Sequence, residues 1–322
     1  MQTATSPDSP QGVRQLEIGP ERDGQRIDNA LVTLLKGVPK SMIYRLLRTG
    51  QVRVNGKRAK PDTRLSQGDM LRIPPVRVAE RPADQGASQG AIAAAAEAVI
   101  FEDKHFLVID KPSGMASHGG SGVSHGAIEL LRQARPNEHL ELVHRLDRDT
   151  SGVLVFARTR AGLTGLQAAI RAGEVTKQYL CLMVGQPSKA RFDVNAPLQK
   201  SILQGGERMV RVSEGGKPSL TFFKEVEQYP SSRLMQATLG TGRTHQIRVH
   251  AAHIGHPLAG DTKYGDREAN KRFRDRGLHR LFLHASSMSF ELDGRAYGFS
   301  APLPEDLKNF LDALAPKRRS GR

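Results

Sequence analysis

A stretch rich in alanine, glycine, serine and glutamine (RPADQGASQGAIAAA, residues 81–95) interrupts the 322-residue chain and divides it into two segments of different character. Such a composition carries too little bulky apolar surface for a core and reads as a linker, here drawn over 81–96. Each flanking segment must therefore bury a core of its own. The segment from about 17 to 80 is compact and basic, and the segment from Glu97 to about Ala315 is long, with mixed strand and helix patterning. Residues 1–16 are expected to be a disordered tail and 316–322 a basic one. The length suffices for two cores without covalent staples. The single cysteine, Cys181, excludes an internal disulfide and any multi-thiolate metal site; inside Tyr179-Leu-Cys-Leu-Met-Val184 it reads as a small core residue.

Charge supplies the first functional constraint. Forty-eight Lys and Arg against 33 Asp and Glu leave +15, with an isoelectric point near 10.2. A field of that sign and size suits a polyanion, because each neutralised phosphate releases condensed counterions. A membrane surface also attracts basic protein, but the sequence shows no lipidation signal, no basic amphipathic anchor and no apolar run long enough to span a bilayer. Nucleic acid is the expected partner and the cytoplasm the expected location.

The positive charge is concentrated in the first segment. From Arg26 to Glu80 there are twelve Lys or Arg and four Asp or Glu, a surplus of eight. Two short helices are expected over Arg26–Leu35 and Lys40–Arg48. The second places Ile43, Leu46 and Leu47 on one face and Lys40, Arg45 and Arg48 on the other. Gln51–Gly56 reads as a strand entering an Asn-Gly hairpin turn, and Asp69–Ile73 as a strand stopped by Pro74-Pro75. This order of elements resembles the S4-type RNA-binding domain, through Arg26-Ile-Asp28, Leu31, the Lys40–Leu47 helix, Gly50-Gln-Val52, Val54-Asn-Gly56 and Gly68-Asp69. The resemblance implies RNA binding by shape and backbone, with the second helix and hairpin turned to the RNA. Lys40, Arg45, Arg48, Arg53 and Lys57 are the candidate contacts.

In the long segment, Phe106–Asp110 reads as a buried strand ended by Lys111-Pro-Ser-Gly114. The glycine loop His118–Gly122 lacks both the G-x-G-x-x-G spacing and a Gly-Lys-Ser/Thr ending, so it reads as a turn allowing close backbone approach rather than a cofactor cradle. The densest polar cluster is His144-Arg-Leu-Asp-Arg-Asp-Thr-Ser-Gly152, which runs directly into the buried strand Val153–Ala157. Polar loops anchored on buried strands commonly carry catalytic groups. Asp149 reads as turn chemistry beside its arginines. A kinase loop is excluded, because a leucine interrupts His-Arg-Asp and neither Asp-Phe-Gly nor an ATP-binding lysine strand is present.

Leu239–His250 joins a Gly-Thr-Gly-Arg loop to a helix expected from about Thr244. His245, His250, His253 and His256 fall within twelve residues, but His-Glu-x-x-His is missing and no carboxylate lies in the cluster, so a metal site is not expected.

His144–Gly152 resembles the central motif of the RluA family of pseudouridine synthases. Lys111–Gly114, Lys177-Gln-Tyr179 and Gly242–Arg248 resemble that family's other motifs in the family's order, over nearly all of 97–315. Arg208–Ser213, Arg280–His284 and Leu35–Tyr44 narrow the likeness to members acting on large-subunit ribosomal RNA. The resemblance implies an α+β fold, with a mixed, mostly antiparallel sheet, flanking helices and a central cleft, preceded by the S4-type domain. It implies an isomerase that converts uridines of 23S ribosomal RNA or its precursor to pseudouridine, as a monomer and without metal or organic cofactor. Asp147 is then the essential carboxylate, with attack on the sugar, attack on the base and a glycal route all open. Arg243 is implied as its partner, Tyr179 as the ring stacked on the base, Arg145 as the wedge filling the vacated stack and Leu283 as an apolar contact. His144 reads as structural. A non-catalytic RNA-binding protein would explain the charge but leave Asp147, Tyr179 and Arg243 without a task, and a metal-dependent nuclease would need the histidine cluster.

Overall fold

The computed structural model describes residues 12–35, 38–76, 87–120, 125–202 and 208–315. The chain forms two compact units, divided between Gly86 and Ala87.

In the first unit, strand β1 (Arg14–Glu17) is followed by helices α1 (Ile27–Leu34) and α2 (Lys40–Arg48), the short strands β2 (Arg53–Val54) and β3 (Lys57–Arg58), and β4 (Met70–Ile73). The sheet order is β1-β4-β2-β3. Its core gathers Ile27 and Leu31 from α1, Ile43 and Leu47 from α2, and Leu71 and Ile73 from β4. Asn55 and Gly56 both have positive φ, which turns β2 into β3 as the Asn-Gly pair predicts. The Asn55 side chain donates to Asp69 and accepts from the Met70 amide, locking the hairpin to β4. Asp28, buried at the start of α1, is held by two bonds from Arg26 and by the Tyr44 hydroxyl.

Two boundaries differ from the sequence expectation. Strand β1 begins at Arg14, inside the span expected as tail, because Arg14–Glu17 pairs in register with Met70–Ile73 and satisfies the free edge of β4. The expected linker contains helix α3 (Gln89–Glu97). Its alanine run is a strong helix former rather than a flexible spacer. Ser88 caps it by accepting from the Ala91 amide, and Ala95 is buried in the core of the second unit. The expected tail through residue 11, the linker at 81–86 and the C-terminal tail at 316–322 lie outside the described residues.

The second unit continues with β5 (Val99–Glu102), β6 (Phe106–Lys111), α4 (Ala127–Ala134), β7 (Glu141–Leu142), β8 (Ser151–Ala157), α5 (Arg160–Ala172) and β9 (Thr176–Val184). Then come β10 (Arg191–Asn195), β11 (Leu198–Ile202), β12 (Arg208–Val212), β13 (Leu220–Tyr229), β14 (Ser232–Leu239) and α6 (Gln246–His253). The chain closes with α7 (Arg267–Arg274), β15 (Leu283–Leu292), β16 (Arg295–Ser300) and α8 (Glu305–Leu314). The main sheet runs β10-β13-β14-β9-β15-β8-β6-β5, with β16 beside β15 and β7 beside β8, while β11 and β12 form a separate hairpin. Every pairing in the main sheet is antiparallel except β8 with β15. The fold is thus α+β with a mixed, mostly antiparallel sheet, as expected. Among the described residues no helix is long and apolar enough to cross a membrane.

Strands β6 and β8 alternate between two cores, as a strand covered on both faces must. Leu107, Ile109, Leu154 and Phe156 pack into the core that also contains α4 and α6 residues. Phe106, Val108, Val153 and Val155 pack with Leu163 and Leu166 of α5. The parallel contact joining the two halves of the sheet is only two residues long, Ser151 opposite His284 and Gly152 opposite Ala285. Gly152 has φ +109°, and a Cβ there would stand 2.2 Å from the Ala285 carbonyl oxygen. Both the backbone conformation and the close approach demand glycine. Gly152→Ala is expected to cost roughly 2–4 kcal/mol of unfolding free energy, measured by denaturant titration; a change below about 0.5 kcal/mol would contradict this reading of the junction.

Candidate active site

The loop 144–150 leads into β8 just before this junction, and a second loop holds it from behind. The Lys111 ammonium is fully buried and donates to the carbonyls of Pro112, Met115 and Arg148 at 2.9, 2.7 and 3.1 Å. Three acceptors match the three protons of an ammonium. Burial pushes the Lys111 pKa down to about 7, against the opposing pull of Asp149 and Asp147. Ser113 donates to the Asp149 carbonyl, and the Gly114 amide to the Arg148 carbonyl. Ser117 Oγ both donates to the Leu146 carbonyl and accepts from its amide. The Lys111–Ser117 segment therefore clamps the backbone on both sides of Asp147. Asp149 pairs with Arg148 at 3.2 Å, in keeping with its reading as turn chemistry.

The Asp147 carboxylate faces a small pocket of about 60 Å³, which opens beside a larger cleft of about 1050 Å³. The small pocket brings together Arg145, Asp147, Tyr179, Arg243 and Leu283, residues that span more than a hundred positions of sequence. Tyr179 and Leu283 are both buried, on β9 and β15, where Leu283 pairs with Cys181. Burial and the nearby Asp147 raise the Tyr179 pKa, so its phenol stays protonated at neutral pH. Arg145 is exposed at the lining of both cavities.

The cation nearest Asp147 is not the one expected. Arg243 lines both cavities, but its Nε donates to the Pro218 carbonyl, and among the described residues it makes no ion pair. Arg248, five residues on and within the first turn of α6, places Nη1 3.5 Å from Asp147 Oδ2. Its other two nitrogens grip Asp261 in a two-pronged bond at 2.7 and 2.8 Å. Asp261 also accepts the amides of Lys263 and Tyr264. Such a guanidinium fork is fixed in direction, which fixes the nitrogen left over for Asp147. In the sequence Arg248 is indistinguishable from its neighbour in the same Arg-x-x-x-x-Arg motif; only the helix shows which one points inward.

His245 also faces Asp147, with Nε2 3.8 Å from Oδ2. It adopts a left-handed conformation (φ +54°, ψ +20°) as the residue before α6, so the helix begins at Gln246, later than the expected Thr244. Non-glycine residues rarely hold that conformation, and sites that do are often functional. Tyr264 OH accepts the Val210 amide at 3.0 Å and lies 2.8 Å from His245 Nδ1. An ionised carboxylate can only accept, so the neutral ring carries its proton on Nε2, toward Asp147, and the Tyr264 hydroxyl donates to Nδ1.

Three further histidines, His144, His250 and His284, are structural. His144 Nε2 accepts the Val155 amide, and desolvation together with the Lys177 charge pushes its pKa down to about 3. His250 and His284 are fully buried, each between a hydroxyl and a carbonyl. Thr221 Oγ1 accepts from Gln246 and donates to His250 Nδ1, whose Nε2 donates to the Ala196 carbonyl. Ser151 Oγ accepts from Arg280 and donates to His284 Nδ1, whose Nε2 donates to the Ala301 carbonyl. Both rings have all nitrogens occupied and so offer no lone pair to a metal. No cluster of metal-ligating side chains occurs among the described residues.

Burial lowers the pKa of both His250 and His284, so each native ring stays neutral where the unfolded ring takes up a proton. Their contribution is complete above the unfolded value near 6.5 and is lost as pH falls toward the depressed native values. His250→Gln or His284→Gln should each flatten the acid limb of stability by up to about 1.4 kcal/mol per pH unit below pH 6.5. Unfolding titrations at pH 4–7 check this, and an unchanged slope would show that the rings are protonated in the native state.

The model of the RNA pseudouridylate synthase family matches residues 105–253, and the S4 domain model matches residues 25–71. Ribosomal large subunit pseudouridine synthase C of Yersinia pestis is 51% identical over 306 residues, covering 94% of this chain and 96% of the relative. The protein of that name from Escherichia coli (strain K12) is 51% identical over 312 residues, covering 95% and 98%. Among solved structures, Human RNA Pseudouridylate Synthase Domain Containing 4 superposes with a TM-score of 0.58 at 26% identity, over 70% of this chain and 97% of that one. Human RNA Pseudouridylate Synthase Domain Containing 1 gives 0.56 at 26% identity, over 64% and 83%. Identity at the 51% level over nearly the full length of both partners shows that this chain belongs to the pseudouridine synthases, a family of isomerases, and that it carries an S4 domain ahead of the catalytic unit.

Proposed function

We propose that this pseudouridine synthase isomerises uridines of 23S ribosomal RNA, acting as a cytoplasmic monomer with Asp147 as its essential carboxylate. The substrate class is supported by relatives whose names state the ribosomal large subunit. The observation that carries the role of Asp147 is its placement: a carboxylate in a pocket, 3.5 Å from an arginine whose direction Asp261 holds.

The reaction breaks the bond from C1′ of ribose to N1 of uracil and makes one from C1′ to C5. The proton on C5 is lost and N1 gains one, so atoms balance within the substrate and no electrons are exchanged. An ionised carboxylate suits either attack or stabilisation of the electron-poor sugar, and the Arg248 guanidinium stands 3.5 Å away as its counter-charge. Tyr179 offers a neutral ring on which uracil stacks equally well before and after it turns, since stacking reads no particular edge. Leu283 supplies an apolar wall. Arg145, long and exposed beside the pocket, suits the wedge that fills the stack when the nucleotide leaves it. Arg243, with no carboxylate partner among the described residues, is suited to a substrate phosphate rather than to Asp147.

The S4 domain supplies the sequence-independent part of binding. Arg45 and Arg48 are exposed on α2, opposite the buried Ile43, Leu46 and Leu47. Arg53 and Lys57 are exposed on the hairpin, and Arg53 braces its turn by donating to the carbonyls of Gly50 and Gly56. Lys40 begins α2, with its side chain outside the described part. These cations are the proposed RNA contacts.

Asp147→Asn should leave folding and RNA affinity intact while abolishing pseudouridine formation, read by carbodiimide mapping of 23S RNA. Wild-type modification by the variant would overturn the assignment. The double substitution Arg45→Glu with Arg48→Glu should weaken RNA binding and reduce the slope of log affinity against log salt by about 2, with single-turnover rate at saturation little changed. An unaltered salt slope would remove this helix from the RNA face.

A further inference from the structure

We propose that Lys177 is a phosphate subsite: its ammonium takes the backbone phosphate flanking the uridine whose base stacks on Tyr179. The inference deepens the reading of this cleft as an RNA site and rests on it.

Lys177 lies on β9, opposite Met288 of β15, and lines the larger cleft. It is half-buried, and among the described residues it makes no hydrogen bond and no ion pair. Its burial lowers its pKa, which is the mark of a cation drawn out of water without compensation. The charge is felt at His144, across the cleft lining, where it helps to keep the imidazole neutral. A desolvated charge without a partner is costly, and such charges are ordinarily paired or bound to a ligand. Among the described residues nothing meets that need. Among the described lining residues Asp147 is the only acid, against Arg145, Arg148, Arg171, Lys177 and Arg243. Asp147 is already engaged by Arg248. The vacant partner is therefore an anion brought by the substrate.

Position selects which anion. Lys177 and Tyr179 are two residues apart on one strand and so point to the same face, about 6.6 Å apart along it. That spacing is of the size that separates a nucleotide's base from its own phosphates. A base on the Tyr179 ring thus puts a flanking phosphate within reach of a flexible lysine stem. A lysine is suited to this task because its compact charge accepts a phosphate from a range of directions as the sugar shifts.

The test uses the full-length enzyme and an RNA fragment that the wild type modifies, with single methylphosphonate linkages placed 5′ or 3′ of the target uridine. Neutralising the linkage that Lys177 meets should weaken wild-type binding about tenfold or more. Lys177→Gln should bind the unaltered RNA weaker by a similar factor and then lose nothing further at that linkage, while Lys177→Arg retains the dependence. Lys177→Met should melt no lower than the wild type, because it removes an uncompensated charge rather than a support. Losses that simply multiply at both linkages would overturn the proposal. Should the RNA that the wild type modifies prove not to be ribosomal, the substrate assignment falls while the same coupling still decides the subsite.

Discussion

The catalytic unit depends on a two-residue parallel contact, Ser151 with His284 and Gly152 with Ala285, that joins two antiparallel halves of one sheet. Its shortness follows from sterics. Gly152 lets the strands approach so closely that no side chain fits between them, and β15 changes register between His284 and Ser287 immediately beyond. The chain entering this junction is the loop that carries Asp147; the strand beside it carries Leu283, and the next carries Tyr179. The junction thus turns residues remote in sequence into neighbours around one pocket. Buried polar bonds reinforce it: Arg280, Ser151 and His284 form a chain of donors and acceptors ending on the Ala301 carbonyl.

Around the pocket, geometry is enforced by groups that do not themselves face it. Asp261 lies fully buried and spends its oxygens on Arg248 and two backbone amides, so Arg248 has one nitrogen left and one direction for it. Tyr264 works similarly on His245, and its ring also lies against the Arg248 guanidinium, 5.1 Å from ring centre to carbon. Behind Asp147, Lys111 anchors three carbonyls at once. The loop that carries the carboxylate and the cation that meets it are thereby both held by preorganised dipoles and charges. Lys177, Arg145 and Arg171 differ in kind: they line the wider cleft, and among the described residues they have no acid of their own.

Much of this was legible beforehand. The α2 face pattern, the Asn-Gly hairpin, the buried runs at 106–110 and 153–157 and the polar loop between His144 and Gly152 are local signals, and the structure contains each as an element or turn. The motif order placed Asp147, Tyr179, Arg145, Arg243 and Leu283 around one site, and the pocket contains all five. The misreadings have physical causes. The alanine run at 91–96 looks like low complexity in composition, yet the same residues form a helix once Ser88 caps it and Ala95 finds a core. Arg14–Glu17 has no pattern of its own and is ordered by the edge of β4.

Sequence by itself pointed to a polyanionic partner, through the +15 charge, and marked out a small basic segment, a larger unit and the polar loop bearing Asp147. It also settled that His250 and its neighbours lack the spacing of a metal site. Only tertiary structure decided which cation meets Asp147, because Arg243 and Arg248 differ not in type but in where a left-handed His245 starts the helix between them. It alone showed that Asp261 and Tyr264, outside every motif, aim the groups that face the carboxylate, and that Lys177 is desolvated with no partner among the described residues. Those are properties of distance and burial between strands and helices far apart in the chain, and local sequence carries no record of them.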